Sequence, residues 1–243
     1  MDFHKEELDL LLVPLALAIL FSYNLFLLYR YLNHPHSTAI GFQNNDKRAW
    51  VERIMQGDKD DVAIALSVIS SNTSAATVLA SISLTLSSLI GAWLGGNSPN
   101  VFQSELIYGD TRACTLSIKY ISLMLCFLLA FSCFVSSATH FVHANYLISI
   151  PSSDVPVKSV ETTVIRAGDF WCLGLRALYF ALNLLMWFFG PVPMFVSAVI
   201  TVAILCSADV NSKPLHQHLP APPRAQMTKR VVQPKSPASV EFL

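Results

Sequence analysis

Four stretches of this sequence are long and nearly free of charge, which fixes the solvent before it fixes the fold. They cover residues 10–29, 62–94, 116–141 and 177–206. Crossing a hydrocarbon layer of about 30 Å takes roughly 20 mostly apolar residues, and each run is long enough. A backbone in lipid has to satisfy its own hydrogen bonds, so each run is expected to be a helix. Strands fit poorly, because the runs are too long and do not alternate. Only 13% of the chain is charged, against about 25% in soluble domains. The reading is an all-α bundle of four transmembrane helices over residues 1–208, followed by a tail over 209–243.

The same composition removes several function classes. Formal net charge is zero, so there is no basic field to draw in nucleic acid. The five cysteines, at 114, 126, 133, 172 and 206, form no CxxC pair. Neither a disulfide framework nor a zinc knuckle is expected from that spacing. Among the close histidine pairs (34/36, 140/143 and 216/218), only His140 and His143 have helical spacing, and two ligands make half a zinc site. No phosphate-binding loop, nucleophile elbow or metalloprotease motif occurs in a usable context. The apolar centres hold no ionisable side chain, which argues against a proton-coupled transporter or a voltage sensor and leaves a passive channel open. No catalytic residue, cofactor or metal is assigned, and no enzyme activity is expected.

The connections shape the rest. "MDFHKEELD" is net acidic and no cleavage pattern follows the first apolar run, so that run reads as a retained helix rather than a signal peptide. In the first connection, Ala49, Trp50, Val51, Ile54 and Met55 recur at helical spacing beside Lys47, Arg48 and Arg53. This predicts a short amphipathic helix in the headgroup layer, anchored by Trp50. "GGNSPN" predicts a turn. Ser159 is a candidate cap for a helix with Glu161 in its first turn. Several helices then overshoot the membrane, which predicts a helical collar on the cytosolic side. The tail has six prolines after Ser207 and is expected to be disordered. Positive charge in the first and third connections places them inside, with the N-terminus and tail outside.

Two stretches carry the strongest local signals. "SVISSNTSAATVLASISLTLSS" is rich in Ser, Thr and Ala, residues that let helix backbones approach closely. Small residues repeat at Ser70/Ser74, Ala76/Ala80 and Ser83/Ser87. The expectation is a central packing helix whose hydroxyls bond their own preceding turn, offering a face for a second copy or another membrane protein; the alternative is a polar pore or ligand path lined by those hydroxyls. The glycosylation acceptor Asn72-Thr73-Ser74 is discounted because it sits within or against the span. In "WFFGPVPMF", Pro191 removes a backbone donor and clashes one turn back, so the fourth helix is expected to kink there.

These residues also resemble a known family. "DFWCLGLRALYFALNLLMWFFGPVPMF" is similar to the closing signature of the domain-of-unknown-function 599 family (DUF599), especially its plant members. The matching positions are Gly174, Arg176, Tyr179, Phe180, Trp187, Phe189, Gly190 and Pro191. "GFQNNDKRAWVERIM" resembles the family's first connection, with Arg48 and Trp50 as matches. "SSNTSAATVLASISLTLSSLIGAWL" and "SIKYISLMLCFLLAFSC" resemble its second and third helices. The resemblance covers about residues 8 to 210. It departs where the family opens its second helix with Arg-Asn; here Ser71-Asn72 stands instead. The family implies a multi-pass membrane protein and supplies no activity. Arg176 is expected at the membrane edge beside Asp169, as a paired interfacial arginine. The functional expectation is an interaction or scaffold protein of the bilayer. A passive channel or carrier is the alternative, and a lipid-modifying enzyme built on His140 or His143 near Asp169 ranks last.

Overall fold

All four apolar runs become helices, but they make five. The computed structural model describes residues 5–34, 37–95, 113–150 and 155–209. Helix α1 is Lys5–Asn33, α2 is Ala39–Gln56, α3 is Lys59–Gly95 and α4 is Ala113–Ser149. Helix α5 is Val157–Met186, a 3-10 turn covers Trp187–Phe189, and α6 is Pro191–Asp209. Five of the six helices (α2 is the exception) are long and apolar enough to cross a membrane.

Neighbouring long helices run antiparallel from α3 to α6. The Ser137 hydroxyl of α4 donates to the Ala167 carbonyl of α5 at 2.8 Å. Further along, Lys119 Nζ of α4 reaches the Trp187 carbonyl at 3.3 Å. As numbers fall on α4 they rise on α5. Helix α1 is likewise antiparallel to α5, with Tyr31 beside Asp169 and Phe21 beside Phe180.

The expected single kinked helix over residues 177–206 is not what forms. Gly190 has φ 132° and ψ 171°, a backbone region essentially reserved for glycine. Pro191 cannot continue α5, because it lacks an N–H and its ring clashes one turn back. Its fixed φ does suit the first position of a new helix. The chain therefore folds back, and α6 descends along α5. Ser197 and Thr201 meet Asn183, and Asp209 meets Arg176. Helix α6 therefore ends toward the same end of the bundle as α1, with Asp209 beside Tyr23.

Of three apolar clusters, a smaller one holds Phe134 with Ala80, Ala130 and Ala177, and the two larger lie toward opposite ends of the bundle. One joins Val13, Ala16 and Leu20 of α1, Leu123 and Phe127 of α4, Ala181 and Leu184 of α5, and Met194 and Ala198 of α6. The other joins Val51, Ile54 and Met55 of α2 to Ala65 and Ile69 of α3, Phe141 and Ala144 of α4, and Val160 and Val164 of α5. Helices α1 and α6 contribute only to the first, and α2 only to the second. The second core packs α2 against α3, α4 and α5 at the end of the bundle where the collar was expected. Around the first core, the outward side chains are apolar: Leu10, Leu15, Leu25 and Leu32 on α1, and Val192, Val196, Ile200 and Ile204 on α6. An apolar belt of this extent is suited to lipid, not water.

Local signals in α2 and α5 explain how the collar closes. Thr38 caps α2, its hydroxyl accepting from the Gly41 N–H at 3.2 Å. Trp50 is half-buried against the second core. Helix α5 begins at Val157 after Pro156, two residues before the Ser159 start expected from sequence, and Pro156 makes no side-chain cap bond. The turn expected at "GGNSPN" and the tail beyond Asp209 lie outside the described residues.

Candidate functional site

Where the two cores meet, α5 turns a polar face inward. Asp169, Cys172, Arg176 and Asn183 recur at steps of three, four and seven, which puts them on one side of a helix. That side meets α1, α2 and α6.

The upper group is held by α2. Tyr31 donates its hydroxyl to Asp169 Oδ1 at 3.2 Å. Asn44, buried, donates to the same oxygen at 3.3 Å and to the Tyr31 oxygen at 3.1 Å. Lys47 Nζ donates to Asn44 Oδ1 at 3.3 Å. The Lys47 ammonium lies directly over Gly168, where any Cβ would collide with it. The absent side chain is what lets α2 bring its lysine against α5.

The central group is built on Arg176. Its Nη2 bridges both Asp209 oxygens, at 3.0 and 2.8 Å, and its Nη1 donates to Asn24 Oδ1 at 3.0 Å. Tyr23 donates its hydroxyl to Asp209 Oδ2 at 2.8 Å. The two charged side chains retain 15% and 12% of their exposure, so solvent screens this pair far less than an exposed one. Three helices are tied together here by one carboxylate.

The deepest group is neutral. Asn183, 1% exposed, donates to the Tyr179 carbonyl at 2.8 Å and to Thr201 Oγ1 at 3.2 Å. Its own oxygen accepts from Ser197 at 2.6 Å. An amide in an apolar core costs several kcal/mol if unpaired, and α6 supplies the partners that α5 lacks.

The structure redistributes the residues singled out from sequence. Arg176 is paired as expected, but with Asp209 and Asn24, while Asp169 is taken by Tyr31 and Asn44. Arg48 forms a 2.8 Å ion pair with Glu161, linking α2 to the start of α5 on an exposed surface. Gly174 faces Phe134 of α4 with no room for a Cβ. Tyr179 lends its carbonyl to Asn183. Trp187, Gly190 and Pro191 form the reversal. Asn72 is exposed on α3, away from these groups. His140 bonds the Ser136 carbonyl at 2.8 Å and lies 5.3 Å from the Phe170 ring; it is not brought to Asp169. Among the described residues no trio of His, Cys, Asp or Glu is placed to hold a metal ion.

Helix α3 also departs from expectation. Its hydroxyls do bond the preceding turn, as at Ser74, Thr77, Ser81, Thr85 and Ser88. The helix is peripheral, however, not central. Ala76, Ala80, Ser83 and Ser87 are buried, in keeping with a face packed on α4. Ser70, Ser74, Thr77, Ser81 and Ser88 face outward.

Sequence reasoning missed Lys119, Asn24, Tyr23 and Asp209. Lys119 is 2% exposed, with Nζ 5.1 Å from the centre of the Trp187 ring while donating to the Trp187 carbonyl. That carbonyl caps the end of α5, where the helix carries partial negative charge, and it also accepts the Gly190 N–H at 3.1 Å. A lone lysine inside an apolar run was the available signal.

No curated protein and no solved structure matches the chain. Residues 11–214, however, match the family described as "Protein of unknown function, DUF599". With that match and five helices fit to cross a bilayer, the chain is a multi-pass membrane protein that belongs to the DUF599 family.

Proposed function

We propose that this chain is a non-enzymatic interaction or scaffold protein of the membrane, associating laterally through the outward face of α3. The observation that carries this is the asymmetry of α3. It buries one face on α4 and leaves Ser70, Ser74, Thr77, Ser81 and Ser88 exposed. Small hydroxyl residues at such spacing allow close helix contact in lipid, where greasy surfaces gain little from meeting. Asp169, Arg176 and Asn183 on the inward face of α5, by contrast, already have partners.

The proposal includes five crossings. Helix α6, at 19 residues, is about 28 Å long at 1.5 Å per residue. The N-terminus then lies opposite the collar, and the first connection, the third connection and the tail share the collar side. Lys47, Arg48, Arg53, Lys59, Lys158 and Arg166 join Lys213, Arg224, Lys229, Arg230 and Lys235 there. Under the positive-inside rule that side is cytosolic. A four-crossing reading leaves the tail charges in conflict with the rule.

The test is disulfide crosslinking in native membranes on a cysteine-free background. Ser81→Cys is expected to give a dimer band, and Leu25→Cys on the outer face of α1 to give none. Equal yields from both positions would remove the lateral reading. A second reading, a passive channel or carrier, is favoured by the polar face of α5 from Asp169 to Asn183. Saturable solute uptake into liposomes holding purified protein would favour it over the scaffold.

A further inference from the structure

We infer that Arg176, Tyr23 and Asn24 form a receptor for a phosphate group at the edge of the bilayer, occupied in this structure by the protein's own Asp209 carboxylate. Three observations converge on it.

The first is donor geometry. Arg176 Nη2 meets both oxygens of one carboxylate, Tyr23 adds a hydroxyl to the second oxygen, and Asn24 fixes the guanidinium from behind. A planar guanidinium with an added hydroxyl donor suits phosphate oxygens as well as carboxylate oxygens.

The second is the nature of the occupant. Asp209 is the last residue of α6, and Cys206, Ser207 and Ala208 beside it are all exposed. Below it, α6 is held independently by Leu205 in the core and by Ser197 and Thr201 on Asn183. The carboxylate can therefore leave by unwinding one terminal turn, the least stable part of a helix. The rest of α6 stays docked.

The third is position. Arg176 lies seven residues below Asp169 on α5, about 10 Å deeper along the helix. Asp169 sits where the apolar belt gives way to the collar. A guanidinium at that depth reaches the headgroup layer by extending its stem, as long basic side chains do near helix ends. If Asp209 departs, the guanidinium is left without its counter-ion in a partly desolvated site, and an anion must replace it.

Asp209 thus acts as a tethered competitor. Binding a headgroup phosphate would free the last turn of α6. The inference holds whether or not α3 pairs with a second copy.

Full-length protein in phosphatidylcholine nanodiscs, titrated with phosphatidic acid and counted by native mass spectrometry, tests it. A tethered group competes at an effective concentration in the millimolar range, so Asp209→Asn is expected to tighten binding roughly tenfold or more. Arg176→Gln combined with Asp209→Asn removes both charges together, leaves no buried charge unpaired, and is expected to abolish the gain. A parallel titration with inorganic phosphate identifies the source. Binding of phosphatidic acid alone assigns a lipid headgroup, whereas equal binding of inorganic phosphate assigns a free anion to the same receptor. Equal affinity in the parent and Asp209→Asn, or a gain that survives loss of Arg176, overturns the inference.

Discussion

Gly174 offers the sharpest test of how α4 and α5 are fitted together. A Cβ built there would lie 2.8 Å from Phe134 Cε1, 2.9 Å from Cζ and 3.0 Å from Cδ1, closer than real carbon atoms pack. The ring has little freedom to retreat. Phe134 is fully buried among Ala80, Ala130 and Ala177, and its ring stands edge-on to Trp171 at 5.6 Å. Forcing a methyl group into a packed core costs about 1–3 kcal/mol. Replacing glycine by alanine within a helix returns up to about 1 kcal/mol. Gly174→Ala should therefore destabilise by about 1–2 kcal/mol. Gly91 of α3 is the control, because the nearest atom to its Cβ is Met124 Sδ at 3.9 Å, an ordinary contact. Gly91→Ala should be neutral or stabilising by up to about 1 kcal/mol. The two variants should differ by about 2 kcal/mol. At roughly 2–4 °C per kcal/mol for a chain of this size, that is a gap of about 4–8 °C in Tm. Tryptophan fluorescence during heating in detergent measures it, since Trp171 reports on the affected contact. Phe134→Leu added to Gly174→Ala should recover part of the loss. A Gly174→Ala protein melting at or above the parent would refute the close-approach argument.

Asn183→Ala should cost about 1–3 kcal/mol, because Thr201 and Ser197 of α6 lose their partner on α5 in a buried site; an unchanged melting curve would show that these bonds do not hold α6. For topology, single cysteines at Ser104 and Ser212 should react with a membrane-impermeant maleimide from opposite sides of sealed vesicles. Labelling of both from one side would restore the four-crossing arrangement.

Much of the architecture could be read directly from residue order. The helices exist because uncharged runs of this length have no other way to satisfy their backbones in lipid. The great length of α3, α4 and α5 was legible in their runs, and α2 was legible because its apolar residues keep helical spacing. The hydroxyls of α3 bond their own carbonyls for reasons local to any helix. The Arg176 partner was misjudged even though spacing held a warning. Asp169 lies seven residues away on the same face, two turns removed, whereas side chains on one helix meet at three or four.

What sequence alone settled was therefore solvent and secondary structure, both of which depend on neighbours along the chain. The tertiary structure decided the direction of α6 and which carboxylate Arg176 holds. Glycine and proline at 190 and 191 permit either a bend or a reversal. The choice falls to side chains distant in sequence, because Asn183 in the apolar core and the partly desolvated Arg176 are costly to leave unpaired, and a helix that doubles back brings Ser197, Thr201 and Asp209 to them.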